Sequence, residues 1–87
     1  MQHKYRGKLI NHLHRLQGQL AGIERMLNKN AYCVDIIVQS RAVQRSLGSF
    51  DRQLLKNHLE EHVPHQFSRG HAHRAVKELL EIYKLRG

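Results

Sequence analysis

The sequence predicts an all-α subunit of three helices, with a central helix much longer than the other two. Two observations lead there. Apolar residues recur in alternating steps of three and four along the first third of the chain and again through its middle, which is the period of one helix face. The 87 residues contain a single proline and no tryptophan, which suits a helical chain that gains burial by self-association.

The first helix is expected over about residues 5–28, on the stripe Leu9, Leu13, Leu16, Leu20, Ile23 and Leu27. The run Asn28-Lys29-Asn30-Ala31 ends it, because asparagine favours a break. The second is expected over about residues 31–62. Ile36, Val43, Leu47, Phe50 and Leu54 keep the spacing, with Ser40 filling one slot. The pair Gly48-Ser49 lies inside this run, where glycine costs roughly 1 kcal/mol relative to alanine. The phase is unbroken across it, so one continuous helix of about 47 Å is expected. Pro64 is expected to stop it, since proline lacks an N–H and disfavours helix in the residue before it. A loop, PHQFSRG, follows. The third helix is expected over residues 71–86, with Ala75, Val76, Leu79, Leu80, Ile82 and Tyr83 as its apolar set. There is no internal repeat, and the whole chain, 1–87, reads as one domain. A chain this short buries only about 60% of its unfolded surface. Three helices of unequal length do not close a bundle, and the economical cover for the long one is a second copy.

Charge narrows the function. Fifteen Lys and Arg face seven Asp and Glu, a formal net charge of +8. Such an excess points to a polyanion, most simply double-stranded nucleic acid. No apolar run has transmembrane length, and MQHKYRGKLI lacks the apolar core of a secretory signal, so no membrane partner and a cytoplasmic location are expected. Cys33 is the lone cysteine, hence a free thiol in a reducing compartment, either filler or ligand. On a helical wheel Arg41, Arg45, Arg52 and Lys56 fall within about 60° of one another. Lys8 and Arg15, seven residues apart, share a face of the first helix. These six, with Lys4, are the candidate phosphate contacts; for any one of them a merely solvated charge is the alternative. No helix-turn-helix signature is present, so a broad basic face reading DNA shape as well as bases is expected.

The stretch NHLEEHVPH, Asn57 to His65, concentrates three histidines. Cys33, His58 and His62 fall within about 40° on the wheel of the long helix, bordering its apolar stripe and away from its basic one. Within one subunit Cys33 and His58 are about 37 Å apart by helical rise. Two copies packed antiparallel, crossing near residue 47, would bring Cys33 of one to His58 and His62 of the other, twice by symmetry. One thiolate with two imidazoles suits Cu(I), Zn(II), Co(II) or Ni(II), and not Ca or Mg. The competing reading is a solvated histidine pair one turn apart. HLEEH also fits the inverted zinc-peptidase pattern H-x-x-E-H. That chemistry needs a third protein ligand, a base and a cleft, for which a short helical chain has little room, and it would not need Cys33; no enzyme is expected. His65, His71 and His73 read as a solvated patch, with an auxiliary metal site as the alternative. Tyr5, Phe67 and Tyr83 read as packing residues, with stacking platforms as the alternative, and Phe50 reads as core.

Three blocks in order, RLQGQLAGIERML (15–27), AYCVDIIVQSRAVQRSL (31–47) and LLKNHLEEHV (54–63), resemble the copper-sensitive operon repressor family, the CsoR/RcnR group of bacterial sensors. The resemblance runs from about residue 5 to the C-terminus. It implies an antiparallel four-helix-bundle dimer that pairs into a disc-shaped tetramer, held on operator DNA without metal and released by the inducer. It assigns Cys33 as the cysteine ligand and His58 as the histidine ligand from the opposite subunit. His62 stands where copper sensors usually carry a second cysteine, and is the residue type of nickel/cobalt sensors and some copper sensors. Tyr32 and Glu78 match the tyrosine and glutamate that hydrogen-bond the histidine in copper sensors and fix its orientation. These two favour Cu(I) as inducer, with no organic cofactor. The alternative is Ni(II) or Co(II), whose sensors add an N-terminal histidine; His3 is near that position, which falls on Met1 by ungapped count from Cys33. The formaldehyde-responsive branch fits less well, because of His62. On the DNA side, His12 and His14 replace two arginines usual before the GQ, and Gln44 replaces the arginine after AV. A metal-independent architectural DNA binder is the remaining alternative class; its affinity would fall steeply with salt and ignore metal.

Overall fold

The computed structural model of the chain describes residues 5–85. Four α-helical segments follow one another: α1 (Arg6–Asn28), α2 (Cys33–Asn57), α3 (Val63–Ser68) and α4 (Ala72–Lys84), with a π-helical turn, His58–His62, joining α2 to α3. α2, the π turn and α3 run on as one helical rod, so the subunit has the three expected helices with a dominant central one.

α1 ends as the asparagines require. Asn30 takes a left-handed φ of 55°. Its N–H reaches Leu27 O at 3.1 Å, and the Ala31 N–H reaches Met26 O at 2.9 Å. This pair of bonds satisfies carbonyls that the helix leaves open. Gly48-Ser49 does not interrupt α2.

Pro64 behaves otherwise than expected: it lies in the first turn of α3, and the helix carries on through it to Ser68. The π turn explains this. Val63 N–H bonds to His58 O, five residues back, so the wider turn takes up the crowding that a proline imposes on the preceding carbonyls. The rod then forgoes only the one backbone bond that an N–H at position 64 would have made. The break comes instead at Arg69-Gly70, where Gly70 has φ 76° and His71 N–H bonds to Gln66 O at 2.6 Å.

α1 packs antiparallel along α2. His12 Nε2 meets Ser46 Oγ at 2.9 Å and the His12 ring stands edge-on to Phe50, centroids 5.9 Å apart. One histidine thus fixes the register of the two helices. The core is thin. Leu9, Leu16 and Val43 are buried between the helices, and Ala75 is the buried residue of α4. Leu20, Leu27, Leu47, Leu80 and Ile82 from the same apolar stripes stay exposed. Phe67 and Tyr83, expected as packing residues, are exposed as well, and Phe50 is half-buried. The stripes are apolar faces, as their spacing predicts, but one subunit covers only part of them. No helix among the described residues is long and apolar enough to cross a membrane.

Candidate metal centre

His58 opens the π turn and His62 closes it. Their Nδ1 atoms face each other at 3.3 Å, with the rings nearly perpendicular and centroids 5.3 Å apart. One ring must donate and the other accept in this contact. Two nitrogens bonded to one metal at 2.0–2.1 Å with near-tetrahedral angles lie about 3.4 Å apart. The pair therefore has chelating separation before any ion arrives. His58 Nε2 is buried and has no hydrogen-bond partner among the described residues, a costly state that a donor or acceptor from a second subunit would relieve.

The other candidate residues are not brought to this pair within one subunit. Cys33 is exposed at the first position of α2, at the far end of the helix from His58. Tyr32 precedes it, exposed. Glu78 lies on α4, and its Oε1 accepts a hydrogen bond from Gln66 Nε2 at 2.9 Å and faces Arg74 Nε at 3.4 Å. Those residues hold its carboxylate, and His58 does not. Among the described residues no group of three potential ligands gathers within the subunit. His3 lies outside the described residues. His65, His71 and His73 are all exposed.

The histidine pair looks onto an open groove of about 1000 Å³ between the end of α2 and α4, lined largely by Leu54, Leu55, Leu79, Ile82 and Tyr83. Arg52 lines it too, so the basic stripe and the histidines are closer neighbours than an ideal wheel suggests. Of the other basic candidates, Lys8, Arg15, Arg41, Arg45 and Lys56 are exposed, and Lys4 lies outside the described residues. Lys8 and Arg15 border a shallow crevice between α1 and α2 with Leu9, Asn11, Ser49 and Gln53.

Three residues around the π turn escape a reading of the sequence alone. Asn57 is fully buried, and its Oδ1 receives the Tyr5 N–H at 3.5 Å. The Tyr5 hydroxyl donates to Glu60 Oε2 at 2.8 Å, and Lys56 Nζ lies 5.6 Å from the centre of the Tyr5 ring. The bond to Glu60, then partial burial, then the charges of Glu60 and Glu61 hold the Tyr5 phenol above its ordinary pKa of 10.0. The only sequence signal for these is the NHLEEH string itself, in which the asparagine precedes His58 and the first glutamate stands two positions after it. The third is Gln66, whose bond to Glu78 cannot be foreseen while 64–70 reads as a loop.

Comparison with known proteins gives a consistent result. The sequence model of a family described as metal-sensitive transcriptional repressor matches residues 5–84. The copper-sensing transcriptional repressor CsoR of Bacillus subtilis is 36% identical over 81 residues, covering 93% of this chain and 80% of that protein. CsoR of Mycobacterium tuberculosis H37Rv is 43% identical over 75 residues, covering 86% of this chain and 63% of that longer protein. The crystal structure of the copper-sensing repressor CsoR with Cu(I) from Geobacillus thermodenitrificans superposes with a TM-score of 0.89 at 30% identity, over 98% of this chain and 90% of that one.

Proposed function

The chain belongs to the metal-sensitive transcriptional repressor family, and from that premise we propose that it represses transcription on operator DNA and is released when Cu(I) binds. The observation that carries the metal half is the His58–His62 pair, two nitrogens at 3.3 Å on a π turn facing an open groove. The copper-sensing names of its relatives support Cu(I). So does the donor set, in which a soft thiolate joins two imidazoles.

In this reading Cys33 of one subunit completes the site on His58 and His62 of another. The exposed leucines of α1, α2 and α4 provide the antiparallel dimer interface and the contacts that pair dimers into a disc-shaped tetramer. Lys8, Arg15, Arg41, Arg45, Arg52 and Lys56 neutralise DNA phosphates. Bound between subunits, Cu(I) would supply a positive charge and a cross-link. Release requires that the DNA-free conformation hold Cys33, His58 and His62 closer to ligand geometry than the DNA-bound one does. Glu78 changes partner in that transition, leaving Gln66 and Arg74 for His58, with Tyr32 of the neighbouring subunit beside it. The protein works in the cytoplasm, where its thiol stays reduced.

Ni(II) or Co(II) is the second reading. It follows the resemblance to nickel/cobalt sensors, in which an N-terminal histidine, here His3, joins as an added ligand.

The test is an anaerobic Cu(I) titration against a chromogenic chelator, on wild type and Cys33→Ala. One Cu(I) held per subunit by wild type and lost in the variant is the expected result. Cu(I) remaining with the chelator refutes the copper reading. Ni(II) and Co(II) titrations of wild type and His3→Ala then decide the second one.

A further inference from the structure

The metal-binding turn is tied to the start of α1. Tyr5 precedes the first helical residue, and two of its groups reach across the chain. Its backbone N–H goes to Asn57 Oδ1, and its hydroxyl to Glu60 Oε2 at 2.8 Å. Asn57 adjoins His58, and Glu60 sits midway between His58 and His62. The Tyr5 carbonyl in turn accepts the Leu9 N–H at 2.9 Å, so Tyr5 anchors the first turn of α1, which carries Lys8. The next polar anchor between the two helices is His12 on Ser46, two turns further along α1.

A π turn is the least regular part of a helical rod and commonly marks a functional position. Glu60 lies inside the same turn, so a change in the backbone that carries His58 and His62 moves Glu60 with it. We propose that Tyr5 and Glu60 are positioning residues that transmit the state of the His58–His62 pair to the first turn of α1 and so to Lys8. The proposal rests on the reading of that pair as metal ligands. It goes beyond it by adding a path through α1, separate from Glu78 on α4. The link is a hydrogen bond of ordinary length made by an exposed carboxylate. It can therefore break and re-form without unfolding either helix.

Hydrogen exchange of the Leu9–His12 amides with and without Cu(I) tests this in the full chain, with Cu(I) affinity measured in parallel. In wild type Cu(I) is expected to change their exchange by about threefold or more, the scale of one modest hydrogen bond. Tyr5→Phe keeps the ring beneath Lys56 and Glu60→Ala keeps the helix; both should abolish the change with Cu(I) affinity intact. Glu60→Gln keeps an acceptor oxygen and should restore it. A purely structural role would slow or speed exchange in both metal states alike and leave the Cu(I)-dependent difference in place. That result, or a wild type that binds Cu(I) with no change at these amides, overturns the proposal and leaves the metal site standing. A wild type that binds no Cu(I) removes the underlying reading as well.

Discussion

Replacing Asn57 by alanine should destabilise the subunit more than any other single polar truncation near the π turn. Its side chain is 0% exposed and receives the Tyr5 N–H at a long 3.5 Å. A bond of that length sits at the weak end of the range, about 0.5 kcal/mol. Removing an amide of roughly one water's volume, about 30 Å³, from a site that cannot collapse costs about 0.7 kcal/mol more. Buried groups that lose their partner add about 1 kcal/mol. Alanine returns roughly 0.6 kcal/mol through its better helix propensity. The net loss is about 1.5 kcal/mol, which for a domain of this size lowers Tm by about 6–12 °C. The assay is thermal unfolding followed by far-ultraviolet circular dichroism at one fixed subunit concentration, because assembly makes Tm depend on concentration. Asn11→Ala, at an exposed position of α1, is the control: it gains the same propensity and should melt at or slightly above wild type. If Asn57→Ala melts within about 2 °C of wild type, Asn57 is not a structural anchor and the reasoning fails.

Other substitutions separate folding, assembly, DNA binding and relay. Leu16, 4% exposed, and Leu80, 56% exposed, should divide cleanly. Leu16→Ala costs about 2–5 kcal/mol of stability, whereas Leu80→Ala leaves the subunit folded and shifts sedimentation toward smaller species; unchanged sedimentation would show that this face of α4 is not an interface. Arg15→Ala should flatten the slope of log affinity for DNA against log salt by about 0.9 for each phosphate that Arg15 no longer neutralises, equally on all sequences. An unaltered slope would remove Arg15 from the DNA-binding face. Glu78→Ala should cost about 1–2 kcal/mol: its ion pair with Arg74 is largely solvated, and most of the loss is the part-buried bond from Gln66. It should also keep Cu(I) affinity while weakening DNA release in a fluorescence-anisotropy titration; normal release would exclude Glu78 from the relay.

The helices are legible in the sequence because a three-four stripe has no other economical reading, and Asn30 ends α1 because it tolerates a left-handed φ. Pro64 misleads because proline is incompatible with the interior of an ideal α-helix, whereas the preceding turn is π and accommodates it. Depth of burial is not legible either. Leu9 and Leu16 are core while Leu20 and Leu27 lie open, and all four occupy the same stripe, so the spacing alone does not separate them. At the candidate site the i,i+4 spacing announces the His58–His62 pair, but its Nδ1-to-Nδ1 approach depends on side-chain rotation. Tyr5, Asn57 and Glu60 meet across more than fifty positions of sequence, beyond any local pattern.

The π turn also makes chain length, rather than composition, the sensitive variable in this region. Its hydrogen bond closes over five residues where an α turn closes over four, so the turn holds one residue more than a plain helix would. Exchanging Leu59 or Glu61 for another helix former leaves that count unaltered. Deleting either would let the turn close as α and keep α3 and α4 near their present bearing, but it would set the two histidines three positions apart instead of four and press the Pro64 ring against an α-spaced carbonyl. Positions 59 and 61 should therefore accept many spellings but not a missing residue.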